Sequence, residues 1–232
     1  LAGNTANAPA IGTWNVVQGS GTFANPNSPT TTVSGLGTGV NRFRWSVNNG
    51  PCIGVTQDDV VITVFSPLPA ANAGPDQSIC TPATSVSMNA SNAPAPASGT
   101  WTVVSGSGAF TNANSPTTQI TGLTVGTHTF RWTVANGACG TTNDQVTITV
   151  FNAASPNANA GGDQEGCTTT ATLAGNSPIA PATGVWTLVS GSGSIANPTS
   201  PTSGITGLGV GVNVFQWTVN NGPCANGITS DQ

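Results

Sequence analysis

The chain has 232 residues, only 4% of them charged, and a formal net charge of −4. Its basic side chains are Arg42, Arg44 and Arg131, too few to neutralise phosphates, which argues against nucleic acid as a partner. No apolar run approaches the ~18 residues of a membrane-spanning helix, and six Trp and seven Phe supply enough apolar surface for small cores, against disorder.

Read from its first residue, the chain repeats itself. Leu1-Ala2-Gly3-Asn4 returns as Leu173-Ala174-Gly175-Asn176. Gly12-Thr13-Trp14 returns as Gly99-Thr100-Trp101 and Gly184-Val185-Trp186, at offsets of 87 and 85. Ser28-Pro29-Thr30 and Phe43-Arg44-Trp45 recur at the same offsets, the latter as Phe130-Arg131-Trp132 and Phe215-Gln216-Trp217. Cys52, Cys139 and Cys224 keep step, as do Cys80 and Cys167. Ala73-Gly74-Pro75-Asp76-Gln77 matches Ala160-Gly161-Gly162-Asp163-Gln164. Three repeats are expected, at 1–68, 69–153 and 154–232. The first lacks a counterpart of Asn72 to Val86 and the third lacks one of Val146 to Phe151. Only the second is whole, and the chain is expected to be an excerpt of a longer array.

Within the second repeat the apolar positions alternate. Ser85 to Ala90 places Val86, Met88 and Ala90 on one face, and Thr100 to Val104 does so for Trp101 and Val103. Thr127 to Val134 turns His128, Phe130, Trp132 and Val134 inward, and Gln145 to Val150 turns Val146, Ile148 and Val150 inward. A period of two marks half-buried antiparallel strands. Gly106-Ser107-Gly108 and Asn136-Gly137 read as hairpin turns, and Asn152 to Asn159 as a linker. About seven short strands in some 86 residues predict an all-β chain of tandem immunoglobulin-like sandwiches.

Candidate chemistry is sparse. His128 is the one histidine, with Asn41 and Asn213 as its counterparts, and it reads as a polar residue near a sheet end. No Ser-His-Asp or Cys-His set recurs, so no catalytic residue is expected. Asp76, Asp144, Asp163 and Asp231 lie in turns before strands. Each could join backbone carbonyls around calcium, but calcium needs six to eight oxygens and each site offers about one carboxylate, so no cofactor is expected. Local hydrogen bonding of the Asp side chains to backbone is the simpler reading. Two Trp per repeat, Trp14 with Trp45, Trp101 with Trp132 and Trp186 with Trp217, are expected as core pairs facing across the sandwich, one per sheet. Exposed Trp would instead offer platforms for sugars.

The cysteines form no zinc pattern and point to disulfides and an oxidising compartment. Pairing within each repeat joins Cys80 to Cys139 and Cys167 to Cys224, leaving Cys52 a partner outside the chain. Against it, Cys80 and Cys139 are expected at opposite ends of a sandwich, beyond the ~7 Å that a disulfide spans. The staggered alternative, Cys80 with Cys224, would staple successive repeats.

The segment Ala71 to Gln77 resembles the opening strand of polycystic-kidney-disease-type (PKD) immunoglobulin-like domains. Ile79-Cys80, Trp101, Phe130-Arg131-Trp132-Thr133-Val134, Asn136-Gly137-Ala138-Cys139 and Val146 to Val150 extend the likeness to PKD-like repeats of large Bacteroidota surface proteins, among them adhesins exported by the type IX system. Trp101-Thr102-Val103-Val104-Ser105-Gly106 departs from the Trp-Asp-Phe-Gly-Asp-Gly-type motif of strict PKD domains. The resemblance implies a non-enzymatic stalk or adhesive fibre at the cell surface. Its partners would be neighbouring repeats, like chains, surface glycans or host surfaces. Two alternatives are a filament with strands exchanged between chains, and a spacer or carbohydrate-binding module beside a catalytic domain.

Overall fold

The computed structural model describes residues 1–50 and 55–232. Cys52, and with it the expectation of a partner outside the chain, lies outside the described residues. The first repeat holds β1 (Ile11–Gln18), β2 (Thr22–Phe23), β3 (Val33–Ser34), β4 (Gly39–Asn48) and β5 (Val55–Val64). The second holds β6 (Gln77–Cys80), β7 (Val86–Ser87), β8 (Ser98–Ser105), β9 (Ala109–Phe110), β10 (Gln119–Thr121), β11 (Gly126–Ala135) and β12 (Thr141–Phe151). The third holds β13 (Ala171–Thr172), β14 (Thr183–Ser190), β15 (Ser194–Ile195), β16 (Gly204–Thr206), β17 (Val214–Asn220) and β18 (Ile228–Asp231).

The chain is all-β, built as tandem β-sandwich repeats. In the second repeat one sheet runs β6-β12-β11-β8 and the other β7-β10-β9. The first strand, β6, lies parallel to the last, β12, with Cys80 opposite Phe151. The third repeat keeps β14-β17-β18 and β13-β16-β15, and the first keeps β1-β4-β5 and β2-β3.

By their contacts the residues fall into two compact units. One comprises Leu1–Ala70, Ala93–Gly99 and Val134–Thr142; the other comprises Ala71–Asn92, Thr100–Thr133 and Asn143–Gln232. In the first unit Trp14, Phe43 and Trp45 form the core, with Leu1, Phe23, Val33 and Ile62 against them. In the second unit Leu173, Trp186, Ile205, Phe215, Trp217 and Val219 form one cluster.

Alternation explains which side chains are inside, because each pleat turns every second residue to the core. It does not reveal which sheet a strand joins, and here the expectation for the tryptophans needs correcting. Trp14 and Trp45 are register partners on adjacent strands of one sheet, and so are Trp186 and Trp217. Trp101 and Trp132 likewise stand in one sheet, on β8 and β11. The pairs therefore stack side by side, with ring centroids 5.1 Å apart in all three repeats and planes inclined by 43°, 45° and 40°. All six rings are buried, between 0% and 4% exposed.

In the first and third repeats the glycine two residues before the first Trp makes room for the second. A Cβ at Gly12 would run into the Trp45 ring, and one at Gly184 into the Trp217 ring. Each indole N–H also finds a backbone acceptor. Trp45, Trp132 and Trp217 donate to the carbonyls of Asn4, Ser91 and Asn176 at 3.1–3.2 Å. Trp14, Trp101 and Trp186 donate to Ser28, Ser115 and Pro201 at 3.0–3.1 Å. A buried N–H left without a partner would cost about 1–3 kcal/mol, so these bonds let the large apolar rings go inside.

Candidate functional site: linker clasps and the staggered disulfide

The polar groups of the chain converge on the linkers between repeats. In the second unit, β12 delivers Phe151 onto Gly222, whose φ of +55° and contact with the ring leave no place for a side chain. Next to it Asn221, 0% exposed, donates from Nδ2 to the Asn152 carbonyl at 2.9 Å. Asn226 donates to the Ser155 carbonyl at 2.7 Å, and the Ser155 hydroxyl accepts from the Ile179 N–H at 3.2 Å. Further along, Thr229 Oγ1 and Asp231 Oδ2 accept from the N–H groups of Ala158 and Ala160, both at 2.8 Å. The linker is thus bonded at intervals from Asn152 to Ala160 rather than left to water.

The same device stands in the first unit. Phe65 lies on Gly137, which has φ of +53°. Asn136, also 0% exposed, donates from Nδ2 to the Ser66 carbonyl, and Thr142 Oγ1 donates to the Pro69 carbonyl at 2.8 Å. Asn136-Gly137, expected as a hairpin turn, leads into one 3-10 turn at Gly137–Cys139, and its side chain serves the linker.

The disulfide follows from this packing. Cys80 is the register partner of Phe151, and Phe151 sits on Gly222, two residues before Cys224. Cys80 and Cys224 are bonded, with Cα atoms 5.2 Å apart at a sequence separation of 144. The staggered pairing forms, and the within-repeat pairings of Cys80 with Cys139 and Cys167 with Cys224 do not. Cys139 and Cys167 are exposed and unpaired.

The carboxylates act as hydrogen-bond acceptors for backbone. Asp76 accepts from the Thr147 N–H, and Asp144 from the Ala73 N–H, both at 2.8 Å. With Asp231 they pin the opening segment of a repeat to its closing strand. Asp163 is exposed in the loop before β13. Among the described residues no three of His, Cys, Asp and Glu gather. A shallow recess lined by Asn72, Gly74, Pro75, Asn89, Ala90 and Ser91 contains none of these residue types.

Two more polar groups are placed by strand geometry. His128, buried, accepts at Nδ1 from the Ser107 N–H at 2.9 Å and bonds through Nε2 to the Thr124 carbonyl at 2.8 Å, so the proton sits on Nε2. Arg44 on β4 grips Asp59 on β5 with two bonds of 2.7 and 3.0 Å. The hydrogen bond from Arg44 holds the Asp59 carboxyl below the usual carboxylate range, and the same bond raises Arg44.

Residues 73–150 match the family model of the K319L-like PKD domain. No curated protein sequence matches the chain. Among solved structures, the PKD domain from the KIAA 1837 protein is 27% identical, with 44% of this chain and 98% of that one covered and a TM-score of 0.33. Extracellular domains 3–5 of Drosophila OTK are 13% identical, covering 96% and 84%, with a TM-score of 0.38. Human CDH23 EC21–23 is 13% identical, covering 95% and 87%, with a TM-score of 0.33. Among the described residues no helix is long and apolar enough to cross a membrane.

Proposed function

We propose that this chain is a non-catalytic structural segment of a secreted or cell-surface protein, whose repeats form a stalk that holds an adhesive part away from its surface. The observation that carries the reading is the Cys80–Cys224 disulfide across two successive repeats, reinforced by linkers bonded along their length. A linker meant to let domains swing would leave its backbone to water; this one is tied to the loop of the following repeat. A disulfide also needs an oxidising compartment to persist, which suits an extracellular location. The PKD-like match at 73–150 belongs to a family that is typically non-catalytic.

Sugars are recognised through exposed aromatic faces, and all six Trp rings are buried. Adhesive partners are therefore assigned to other parts of the stalk-bearing protein, or to the uncharged Thr- and Ser-rich outer faces. Small-angle scattering of the oxidised chain and of the Cys80→Ser/Cys224→Ser variant tests the reading. The oxidised chain should show one narrow range of maximum dimension and the variant a broader one. Equal, broad distributions for both would refute a stalk.

A further inference from the structure

Each clasp carries the dipeptide Asn-Gly, as Asn136-Gly137 and Asn221-Gly222. In a free chain this pair is reactive, because the glycine nitrogen, unhindered by a side chain, can attack the amide carbon of the asparagine before it. In the closed clasp both reacting groups are occupied. Asn221 Nδ2, the leaving nitrogen, donates to the Asn152 carbonyl and to Asn226 Oδ1, both at 2.9 Å. The attacking nitrogen, that of Gly222, donates its hydrogen to Asn220 Oδ1 at 2.9 Å, and the Phe151 ring lies against Gly222. Asn221 is buried, which keeps water from it.

The other clasp repeats the arrangement. Asn136 is buried, its Nδ2 donates to the Ser66 carbonyl, and the Phe65 ring lies against Gly137. In both asparagines Oδ1 is buried and has no hydrogen-bond partner among the described residues. Each amide is thus held in place by its nitrogen, the atom that deamidation removes.

We propose that Asn136-Gly137 and Asn221-Gly222 are latent deamidation sites, and that each clasp is a one-way latch: seated, the linker protects the asparagine; lifted, it exposes a reaction whose product cannot hold the linker again. When the linker leaves its seat by local opening, Phe151 uncovers Gly222 and the Asn221 amide loses the Asn152 carbonyl. The Gly222 nitrogen loses its proton to solvent and bonds to Asn221 Cγ. The Cγ–Nδ2 bond breaks, and Nδ2 leaves as ammonia. Water then opens the five-membered imide at either carbonyl, giving aspartate or isoaspartate. One water is consumed, one ammonia is released, and nothing is oxidised or reduced. In either product the nitrogen that donated twice is replaced by a carboxylate oxygen, which only accepts and would face the Asn152 carbonyl and Asn226 Oδ1. Burying that charge without a donor is costly. Isoaspartate also routes the main chain through the side-chain carbon and displaces Gly222 from the Phe151 ring.

The test uses the full chain with the Cys80–Cys224 bond formed and its remaining thiols alkylated. It is aged in mildly alkaline buffer and mapped by peptide mass, with aspartate and isoaspartate separated. In urea both sites should deamidate; the folded chain should be slower at both by about tenfold or more. In the folded chain Phe151→Ala should speed the reaction at Asn221 by about tenfold and leave Asn136 at the wild-type rate. Phe65→Ala should do the reverse. The untouched clasp in each variant serves as its folding control, since global unfolding releases both. Asn221→Asp, one product of the reaction, should lose hydrogen-exchange protection at the Ala158 and Ala160 N–H groups of the linker. A folded chain that deamidates as fast as the chain in urea, phenylalanine variants without acceleration confined to their own clasp, or an Asn221→Asp linker protected as in wild type would each overturn the proposal. The stalk reading does not depend on it and stands or falls by the scattering experiment.

Discussion

His128 and Asn213 close the same turn in successive repeats with different chemistry. The Nδ1 of His128 accepts from the Ser107 N–H as the Oδ1 of Asn213 accepts from the Ser192 N–H. The Nε2 of His128 reaches the Thr124 carbonyl as the Nδ2 of Asn213 reaches the Gly209 carbonyl. The imidazole is an enlarged amide here, one acceptor and one donor on opposite edges. His128→Asn should therefore change stability by less than about 0.5 kcal/mol in urea unfolding. His128→Leu, which leaves a buried N–H and carbonyl without partners, should cost about 1–3 kcal/mol.

The glycines under the second tryptophans are set by space. Gly184→Ala should destabilise the chain by about 1–3 kcal/mol, the usual cost of overpacking a filled core. Tryptophan fluorescence followed through urea unfolding measures it directly, since Trp217 is the ring displaced.

The Arg44–Asp59 pair predicts a pH signature. Its hydrogen bond with Arg44 depresses the Asp59 pKa in the folded chain, so the pair's contribution is fully present above the unfolded carboxylate value of about 3.9. It is lost as pH falls through the lower, folded value. Wild type and Asp59→Asn should differ in melting temperature at neutral pH and converge in strong acid. A difference that grows on acidification would contradict the assignment.

Removing the disulfide with Cys80→Ser and Cys224→Ser should lower unfolding stability by about 2–5 kcal/mol, the range for a bond that closes a long loop. Urea unfolding of oxidised and reduced wild type should bracket the variant.

The clasp should guide oxidation. Asn221→Ala leaves the Asn152 carbonyl without its buried donor, and Phe151→Ala removes the ring between Cys80 and Gly222. Both should slow formation of the Cys80–Cys224 bond on refolding from the reduced state, followed by quenching and mass mapping. Thr13→Ala, on β1 of the first repeat, should leave the rate unchanged.

Much of the fold is readable from residue order alone. Alternation in Thr127 to Val134 and in Gln145 to Val150 identifies strands and inward faces, because the pleat has a period of two whatever the tertiary context. It cannot say that Trp14 and Trp45 share a sheet, since membership depends on which strand lies alongside, not on which residues point in. The cysteine spacing is equally compatible with bonds inside or between repeats. What decides is Phe151, opposite one cysteine and resting beside the other. The clasps carry a signal that goes unread in the spacing of turns: Phe65 and Asn136 recur as Phe151 and Asn221 in step with the cysteines. Asn-Gly reads as a hairpin turn because local preference is the same whether or not a side chain also serves a linker.

If the chain is pulled from its two ends, tension reaching residue 80 crosses the sulfur bridge to residue 224 and skips the whole segment between. The strands inside that covalent loop bear no load while the bond is intact, so the second repeat's core and most of the third's are shielded from mechanical extension. Reduction would release that hidden length all at once, making the redox state of the surroundings a control on how far the molecule can stretch.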